Sequence, residues 1–336
     1  MAALTVGLSP HRVEFLPLAF ALMKQHGYIL LEEPPHPLFP DYLEGRISLE
    51  RILEESESGF PEYTRTLYPY LRELHRRGYR ILQIEPYLER VLRMQERLAE
   101  GASPEEVARD PELGPVYYHE HETFGRLLDF YSSMRDSFES LVEKICAFAR
   151  ADAGRLAFRD HLRAEALLKF LSSLPPDSTV YVEAGYIHLI LVRELARRKP
   201  RGVHLRVRNL LLQALPHRSS RRLFPAPGDG LTSYYLFKQR RPIEEKLLAA
   251  RSLIYIRLIE KNEIRPTPAN PFPHLRDEIF WRAFVEGLDY ADCKRLDREI
   301  RLRPTGEARR IACTMFPGLC SRARKVTAEW VPVLTG

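Results

Sequence analysis

The feature that most constrains the fold is an alternation of short apolar runs with longer amphipathic segments over the first two hundred residues. This alternation is typical of stacked βαβ units, in which parallel strands form a sheet and helices cover its faces. The runs predicted as strands are residues 3–8, 28–33, 80–85, 178–185 and 203–208. The sequence therefore predicts an α/β fold with a mainly parallel central sheet flanked by helices.

Proline and glycine mark where these elements begin and end. Pro34 stops the second predicted strand, and Pro86 opens the helix that follows the third strand. Residues 12–26 are predicted as a helix, and residues 104–174 as helical with a late break at Gly154. These boundaries predict a loop after the carboxyl end of each strand.

The chain length indicates more than one structural part. At 336 residues the chain exceeds the size at which a single hydrophobic core usually stops growing. We predict an α/β domain over 1–215 and a mainly helical C-terminal extension over 216–336. The extension opens with a predicted loop, FPAPGDGL at 224–231, and continues with helices near 242–262, 274–286, 289–301 and 305–315.

The charge balance permits a nucleic-acid partner without favouring one. The chain has 51 basic and 45 acidic residues and a formal net charge of +6. Most of these charges are interleaved, which is typical of solvated helix surfaces. Three stretches between residues 196 and 241 are locally basic: ARRKPRG, HRSSRR and KQRR. A nucleic-acid-associated protein that uses this region is therefore one alternative function.

Cysteine use and hydropathy indicate a soluble cytoplasmic protein. The four cysteines are too scattered for a disulfide framework and are predicted to be buried thiols: Cys146, Cys293, Cys313 and Cys320. No apolar run approaches the roughly 20 residues of a membrane span, and no secretory signal is evident after Met1. Many Arg, Glu and Pro residues with few Asn and Gln indicate adaptation to heat.

Ionisable residues follow four predicted strands at the point where each strand ends. His11 follows the first strand, Glu32 and Glu33 end the second, Glu85 ends the third, and His188 follows the fourth. Ligands of open parallel sheets bind beyond the carboxyl ends of the strands, where loops converge and helix amino termini supply positive potential. We therefore expect a functional site at this edge of the sheet.

Glu32 and Glu33 cannot both point into such a site. Side chains alternate between the two faces of a strand, so one of two adjacent residues faces the site and the other faces away. The sequence alone leaves open which of the two contributes. Glu183, near the end of the fourth strand, is a further carboxylate at this edge.

Two segments resemble a known superfamily. GLSPHRVEFLPLAFALMKQHGYILLEEP is similar to the opening of the superfamily that unites erythromycin-esterase-like hydrolases, ChaN-like haem-binding proteins and TraB/Tiki proteins. VYVEAGYIHLILVREL resembles its later GxxH motif, with Gly185 and His188. FRDHLRAEALLKFLSSL resembles its arginine-containing helix, which points to Arg159. The first motif departs from the TraB/Tiki pattern, because three residues separate Gly7 from His11 where that pattern has two.

The resemblance implies a hydrolase of ester or peptide bonds with a small-molecule or peptide substrate. The residues at the strand ends suit this reaction, since an imidazole next to a carboxylate can activate water, so we expect catalytic roles for His11, Glu32 or Glu33, Glu85 and His188. The resemblance adds Arg159 to this catalytic set. A metal-dependent form would use His11, Glu33 and His188 as ligands for manganese, cobalt or zinc. The resemblance also permits a non-catalytic protein that binds a metal or a haem-like ligand at the same edge.

Overall fold

The computed structural model describes residues 3–55, 61–215, 225–237 and 242–328. The chain divides into two compact units, and each is named here by its content. The α/β unit comprises residues 1–118 and 156–211, and the helical unit comprises residues 119–155 and 212–336. The division after 211 lies close to the predicted boundary at 215. Residues 119–155 fall in the helical unit instead of the α/β part, because apolar side chains between 130 and 149 pack in its core.

A five-stranded sheet forms the centre of the α/β unit. Its strands are β1 Ala3–Ser9, β2 Tyr28–Leu31, β3 Arg80–Gln83, β4 Thr179–Gly185 and β5 His204–Asn209. All neighbouring strands are parallel, in the order β3-β2-β4-β1-β5. The predicted α/β class with a parallel sheet is confirmed. β2 and β3 each end two residues before the predicted boundary, so Glu32, Glu33 and Glu85 lie beyond the ladder.

Several helices of the first 215 residues begin at a proline, as predicted for the helix that opens at Pro86. The described helices of this part of the chain are α1 Leu16–Met23, α2 Phe39–Leu43, α3 Leu49–Glu55, α4 Pro61–Arg76, α5 Pro86–Ala99, α6 Pro104–Arg109, α7 Gly114–Ser132, α8 Phe138–Ser172, α9 Leu189–Arg198 and α10 Leu210–Gln213. The predicted break at Gly154 is wrong, because α8 runs through it. One glycine costs a helix only about 1 kcal/mol, and buried Ala153 and Leu156 hold this turn in place. None of the described helices is long and apolar enough to cross a membrane.

One face of the sheet packs against α8 and α9. Alternate residues of the central strands, such as Val6 and Val182, are fully buried with Leu167 of α8 and Leu191 of α9. This arrangement buries the apolar stripe of each helix and places the charged residues of α8 at the carboxyl ends of the strands. The sheet core therefore fixes the position of α8 relative to β2 and β4.

A close contact on the other face explains Gly7. Gly7 pairs with Glu183 in the ladder between β1 and β4. A Cβ atom at Gly7 would lie 2.7 Å from Tyr181 Cε2, which is too close for any side chain. Because Gly7 has no side chain, the buried Tyr181 ring can lie directly against β1.

The helical unit contains a second hydrophobic core. Its remaining described helices are α11 Pro227–Leu236, α12 Pro242–Leu258, α13 Pro273–Glu286, α14 Tyr290–Ile300, α15 Thr305–Met315 and α16 Pro317–Ala328. Four of the six match the predicted helices, and α16 was not predicted. Residue 224 of the predicted loop at 224–231 lies outside the described residues, and the prediction is wrong from Pro227 onward, where α11 begins. A Cβ atom at Gly228 would lie 3.1 Å from Ser252 Oγ, so this glycine allows close helix packing.

Two cysteines correct the prediction of four buried thiols. Cys313 and Cys320 form a disulfide with a Cα–Cα distance of 5.5 Å, whereas Cys146 and Cys293 are free and buried as predicted. Seven residues of one continuous helix would separate two Cα atoms by about 10 Å along its axis. The change of direction between α15 and α16, at Pro317, brings the two cysteines within disulfide reach.

Candidate active site

The carboxyl ends of β1 to β4 bring most of the predicted residues together. The strand order makes these four ends neighbours. His11, Glu32, Glu85 and His188 each follow a different strand, and Arg159 reaches the same edge from α8. The predicted convergence of five distant segments at one edge of the sheet is present in the structure.

Glu32 is the residue around which the other charged groups lie. Its Oε1 accepts a hydrogen bond from Arg159 Nη2 at 2.7 Å and lies 2.8 Å from His188 Nε2. Its Oε2 accepts a hydrogen bond from the Gly185 N–H at 2.5 Å and lies 3.3 Å from Arg163 Nη1. Burial opposes ionisation of Glu32, but the charges of His188 and Arg163 outweigh burial and hold its pKa well below the usual range. Glu32 is therefore a carboxylate at neutral pH.

The close packing around Gly185 explains the glycine of the GxxH segment. The backbone N–H of Gly185 must approach Glu32 closely to donate its hydrogen bond. A Cβ atom at this position would lie 3.1 Å from His188 Cδ2 and 3.7 Å from Glu32 Oε2. A side chain here would separate the glutamate from the histidine, so glycine maintains their contact.

His188 is held between two carboxyl groups. Its Nδ1 is hydrogen-bonded to Asp160 Oδ1, and its Nε2 faces Glu32. The other Asp160 oxygen accepts the Leu191 N–H at 2.8 Å, which orients the aspartate at the start of α9. Burial lowers the pKa of His188, but the two carboxyl groups outweigh burial and raise it to about 9. His188 is therefore cationic at neutral pH, and its two ring nitrogens donate to Asp160 and Glu32.

The raised pKa of His188 predicts a loss of stability in alkali. The folded pKa of about 9 exceeds the usual 6.5, so the charged histidine stabilises the fold fully below pH 6.5 and this contribution disappears as the pH rises through 9. The shift corresponds to about 3 kcal/mol. We expect the free energy of unfolding of the wild type to fall by about that much more than that of H188Q between pH 7 and pH 10. Proton NMR of the imidazole should give a midpoint near 9, and a midpoint below 7 would contradict this protonation state.

Arg163 joins α8 to the ends of two strands. Its side chain is 0% exposed. Its Nε donates to the Ile84 carbonyl at 3.0 Å and its Nη2 donates to the Glu183 carbonyl at 2.7 Å. The same guanidinium lies 3.5 Å from Glu85 Oε2, through Nε. Arg163 therefore satisfies backbone carbonyls beyond β3 and within β4 while it faces two buried carboxyl groups.

Glu85 lies at the side of the site formed by α5 and α8. Its Oε2 accepts a 3.4 Å hydrogen bond from Arg159 Nη2. Within the described part of the chain, Glu85 Oε1 and Arg159 Nε have no hydrogen-bond partner although both atoms are buried. Arg163 Nη1 is a third buried site atom without a hydrogen-bond partner among the described residues, so all three atoms retain hydrogen-bonding capacity.

His11 is the most exposed of the histidines and carboxyl groups in this cluster. Its side chain is 28% exposed, compared with 4% for His188 and 3% for Glu32. Its Nε2 lies 3.8 Å from Glu32 Oε2, and its ring packs edge-on against Tyr63 with the centroids 5.5 Å apart. His11 is thus an imidazole next to a fixed carboxylate and accessible to a reactant.

Glu33 points away from this cluster, as the alternation of a strand requires for one of the two adjacent glutamates. Its Oε2 accepts hydrogen bonds from Tyr68 at 2.9 Å and Gln83 at 2.8 Å. Burial, together with the charge of Glu183, raises the pKa of Glu33 to about 7. Tyr63 donates to Glu183, so α4 satisfies both carboxyl groups on this face. Of the two glutamates, Glu32 is the one that joins the cluster with His11 and His188.

Two site residues were missed in the sequence, Asp160 and Arg163. They lie in the segment that suggested Arg159, at positions of α8 where the apolar face of the helix packs on the sheet. Charged residues are seldom fully buried unless they are paired. Charges at apolar-face positions were therefore the signal that could have identified both residues.

The predicted metal ligands do not fit a three-ligand site. Both nitrogens of His188 are engaged with carboxyl groups, and Glu33 faces α4. Among the residues that the structure describes, no group of three His, Cys, Asp or Glu side chains is placed to hold a metal ion. Metal dependence stays a prediction for experiment.

A protein of Archaeoglobus fulgidus described as uncharacterized is 32% identical to this chain over 287 residues. The match covers 85% of this chain and 94% of the archaeal protein. The chain belongs to the same family as this archaeal protein. No protein-family model and no solved structure matches the chain.

The match is long enough to include most of the helical unit as well as most of the α/β unit. Roughly 50 residues of the 336 lie outside the match, fewer than either unit contains. The match therefore includes most of each unit, and the archaeal relative shares both.

Proposed function

We propose that the protein is a hydrolase of ester or peptide bonds in which His11 is the base that activates water. The observation that carries this proposal is a partly exposed imidazole 3.8 Å from a buried, ionised glutamate. A general base must be accessible to water and needs a neighbouring group that stabilises its protonated form. The resemblance to the superfamily that contains erythromycin-esterase-like and TraB/Tiki hydrolases supports the same reaction class.

The site supplies the charges that such a reaction requires. The His11 imidazole takes a proton from water as the oxygen attacks the substrate carbonyl, and the carboxylate of Glu32 stabilises the resulting imidazolium. Arg159, whose side chain is 14% exposed, is the cation placed to stabilise the developing oxyanion. Collapse of the tetrahedral intermediate expels the alcohol or amine, which recovers the proton from His11.

The buried residues of the cluster act by holding Glu32 in place. His188 and Arg163 balance its charge, and Asp160 orients His188. A preorganised carboxylate needs no rearrangement when His11 gains its proton, which lowers the barrier of the step. We therefore assign His188, Asp160 and Arg163 as positioning residues.

The proposal includes a small-molecule or peptide substrate and a cytoplasmic location. Disulfides are rare in the cytosol of mesophiles but occur in intracellular proteins of hyperthermophiles. The Cys313–Cys320 disulfide is therefore compatible with a cytoplasmic location in a protein adapted to heat.

A substrate panel tests the proposed function. The purified protein is incubated with nitrophenyl esters, lactones and fluorogenic peptides, with EDTA or with added manganese, cobalt or zinc. We expect turnover of at least one substrate class that EDTA leaves unchanged. Turnover that requires an added metal would support the metal-dependent form, and absence of turnover in every arm would contradict the proposal.

A visible absorption scan after incubation with haem tests the alternative of a non-catalytic haem-binding protein.

A further inference from the structure

One stretch of the chain accounts for the whole excess of positive charge. From residue 195 to residue 228 the sequence contains nine Lys and Arg residues and no Asp or Glu. The remainder of the chain has 42 basic and 45 acidic residues, so its formal net charge is −3, against +6 for the whole chain. An excess confined to one segment differs from the interleaved charges of an ordinary solvated surface.

The described part of this segment lies at one edge of the sheet. It comprises the end of α9, the turn that follows, and β5, which is the edge strand of the described sheet and pairs with β1. We name this surface the basic edge, and its exposed cationic residues are Arg197, Arg198, Arg201, Arg206 and Arg208. The other two basic stretches, at 217–222 and 238–241, lie outside the described residues.

Most of these arginines are not neutralised by a neighbouring carboxylate. Arg198 lies 3.6 Å from Glu165 and 3.7 Å from Glu194. Within the described residues, the other four arginines of the basic edge form no ion pair. Their charges are therefore available to an anionic partner.

β5 presents its cations in a regular row. Arg206 and Arg208 are two residues apart, so they lie on the same face of the strand at a spacing of about 7 Å. Val207, between them, faces the other side and is 40% exposed. Charged residues on an edge strand also prevent pairing with another sheet. Charges of either sign would do this, so protection of the edge does not explain why all charged residues in this stretch of 34 residues are basic.

We propose that the basic edge binds the phosphodiester backbone of a nucleic acid. Guanidinium groups pair with phosphate oxygens through two parallel hydrogen bonds, and a row of exposed arginines matches a chain of phosphates. Since the row is a strand edge and not an element that enters a groove, binding should depend on the backbone and not on base sequence. This surface goes beyond the proposed hydrolase and does not rest on it.

Fluorescence anisotropy with labelled oligonucleotides tests this surface. A uridine oligomer, a thymidine oligomer and a mixed-sequence duplex are titrated with the full-length protein at increasing KCl. We expect R206E/R208E to weaken binding by about 10- to 100-fold and to lower the slope of log Kd against log salt by about 1.4 for single strands. A preference for RNA, DNA, single strands or duplex would identify the source of the phosphates and would support the proposal.

A matched variant separates a local surface from overall charge. R65E/R77E replaces the exposed Arg65 of α4 and the exposed Arg77 that follows this helix, and it lowers the formal net charge from +6 to +2, as R206E/R208E does. Circular dichroism checks that each variant is folded, and R197E/R201E provides a second pair on the basic edge should R206E/R208E not fold. Equal losses in the edge and control variants, no binding by the wild type, or binding only to phosphatidylglycerol vesicles would overturn the proposal.

Discussion

H11A is expected to lower kcat/KM about 10²- to 10⁴-fold on the substrate identified by the panel, with the fold retained. The residual rate would come from substrate positioning and from Arg159, which the substitution does not touch. His11 is 28% exposed and lies 3.8 Å from Glu32. Its removal therefore leaves few buried polar atoms without a partner, and we expect the fold to be retained. Steady-state kinetics and circular dichroism measure the two expectations separately.

The chain offers a close control for this substitution. His161 is an exposed histidine whose Nδ1 lies 3.8 Å from Glu194, so it repeats the distance between His11 and Glu32 outside the site. H161A removes an imidazole with a similar carboxylate neighbour and should leave kcat/KM unchanged. Equal effects in H11A and H161A would show that the activity does not depend on the candidate site.

Chemical rescue adds a measurement that a structural role of His11 would not produce. Because His11 is partly exposed, imidazole from solution can occupy the space that alanine leaves. We expect added imidazole to restore part of the activity of H11A and none to H188Q, because His188 is buried between two carboxyl groups. Retention of more than about a tenth of wild-type kcat/KM by H11A would contradict the assignment of the base.

Much of the candidate site could be predicted because strand ends carry positional information. An apolar run that stops at Pro34 or Pro86 shows where a strand ends, and parallel strands end at one edge. His11, Glu32, Glu85 and His188 follow from that rule alone. The same rule could not distinguish Glu32 from Glu33, because the choice depends on which face α8 covers.

The protonation states could not be predicted, because they depend on neighbours far away in the sequence. A solvent-exposed histidine is mostly neutral at pH 7 and suited to be a base. His188 is instead paired with Asp160 and Glu32, which are 28 and 156 residues away in the sequence, and so becomes a cation. The expectation that His188 is a base or a metal ligand rested on its usual chemistry, which this environment changes.

R163M is expected to lower the free energy of unfolding by about 3–5 kcal/mol. The methionine fills much of the same volume but leaves Glu32 and Glu85 facing each other with one guanidinium fewer. It also leaves the carbonyls of Ile84 and Glu183 without their donor, and a buried acceptor without a partner costs about 1–3 kcal/mol. Guanidinium denaturation followed by far-UV circular dichroism measures the change.

The comparison variant for R163M lies on the same helix. Lys169 is exposed on α8 and forms no ion pair among the described residues, so K169M also removes one positive charge. Its free energy of unfolding should remain within about 0.5 kcal/mol of the wild type. R163K should fall between the two, because lysine keeps the charge but cannot reach both carbonyls and both carboxylates at once. If R163M lost less than about 1 kcal/mol, then Glu32 and Glu85 would not require this arginine, and its assignment as a positioning residue would be wrong.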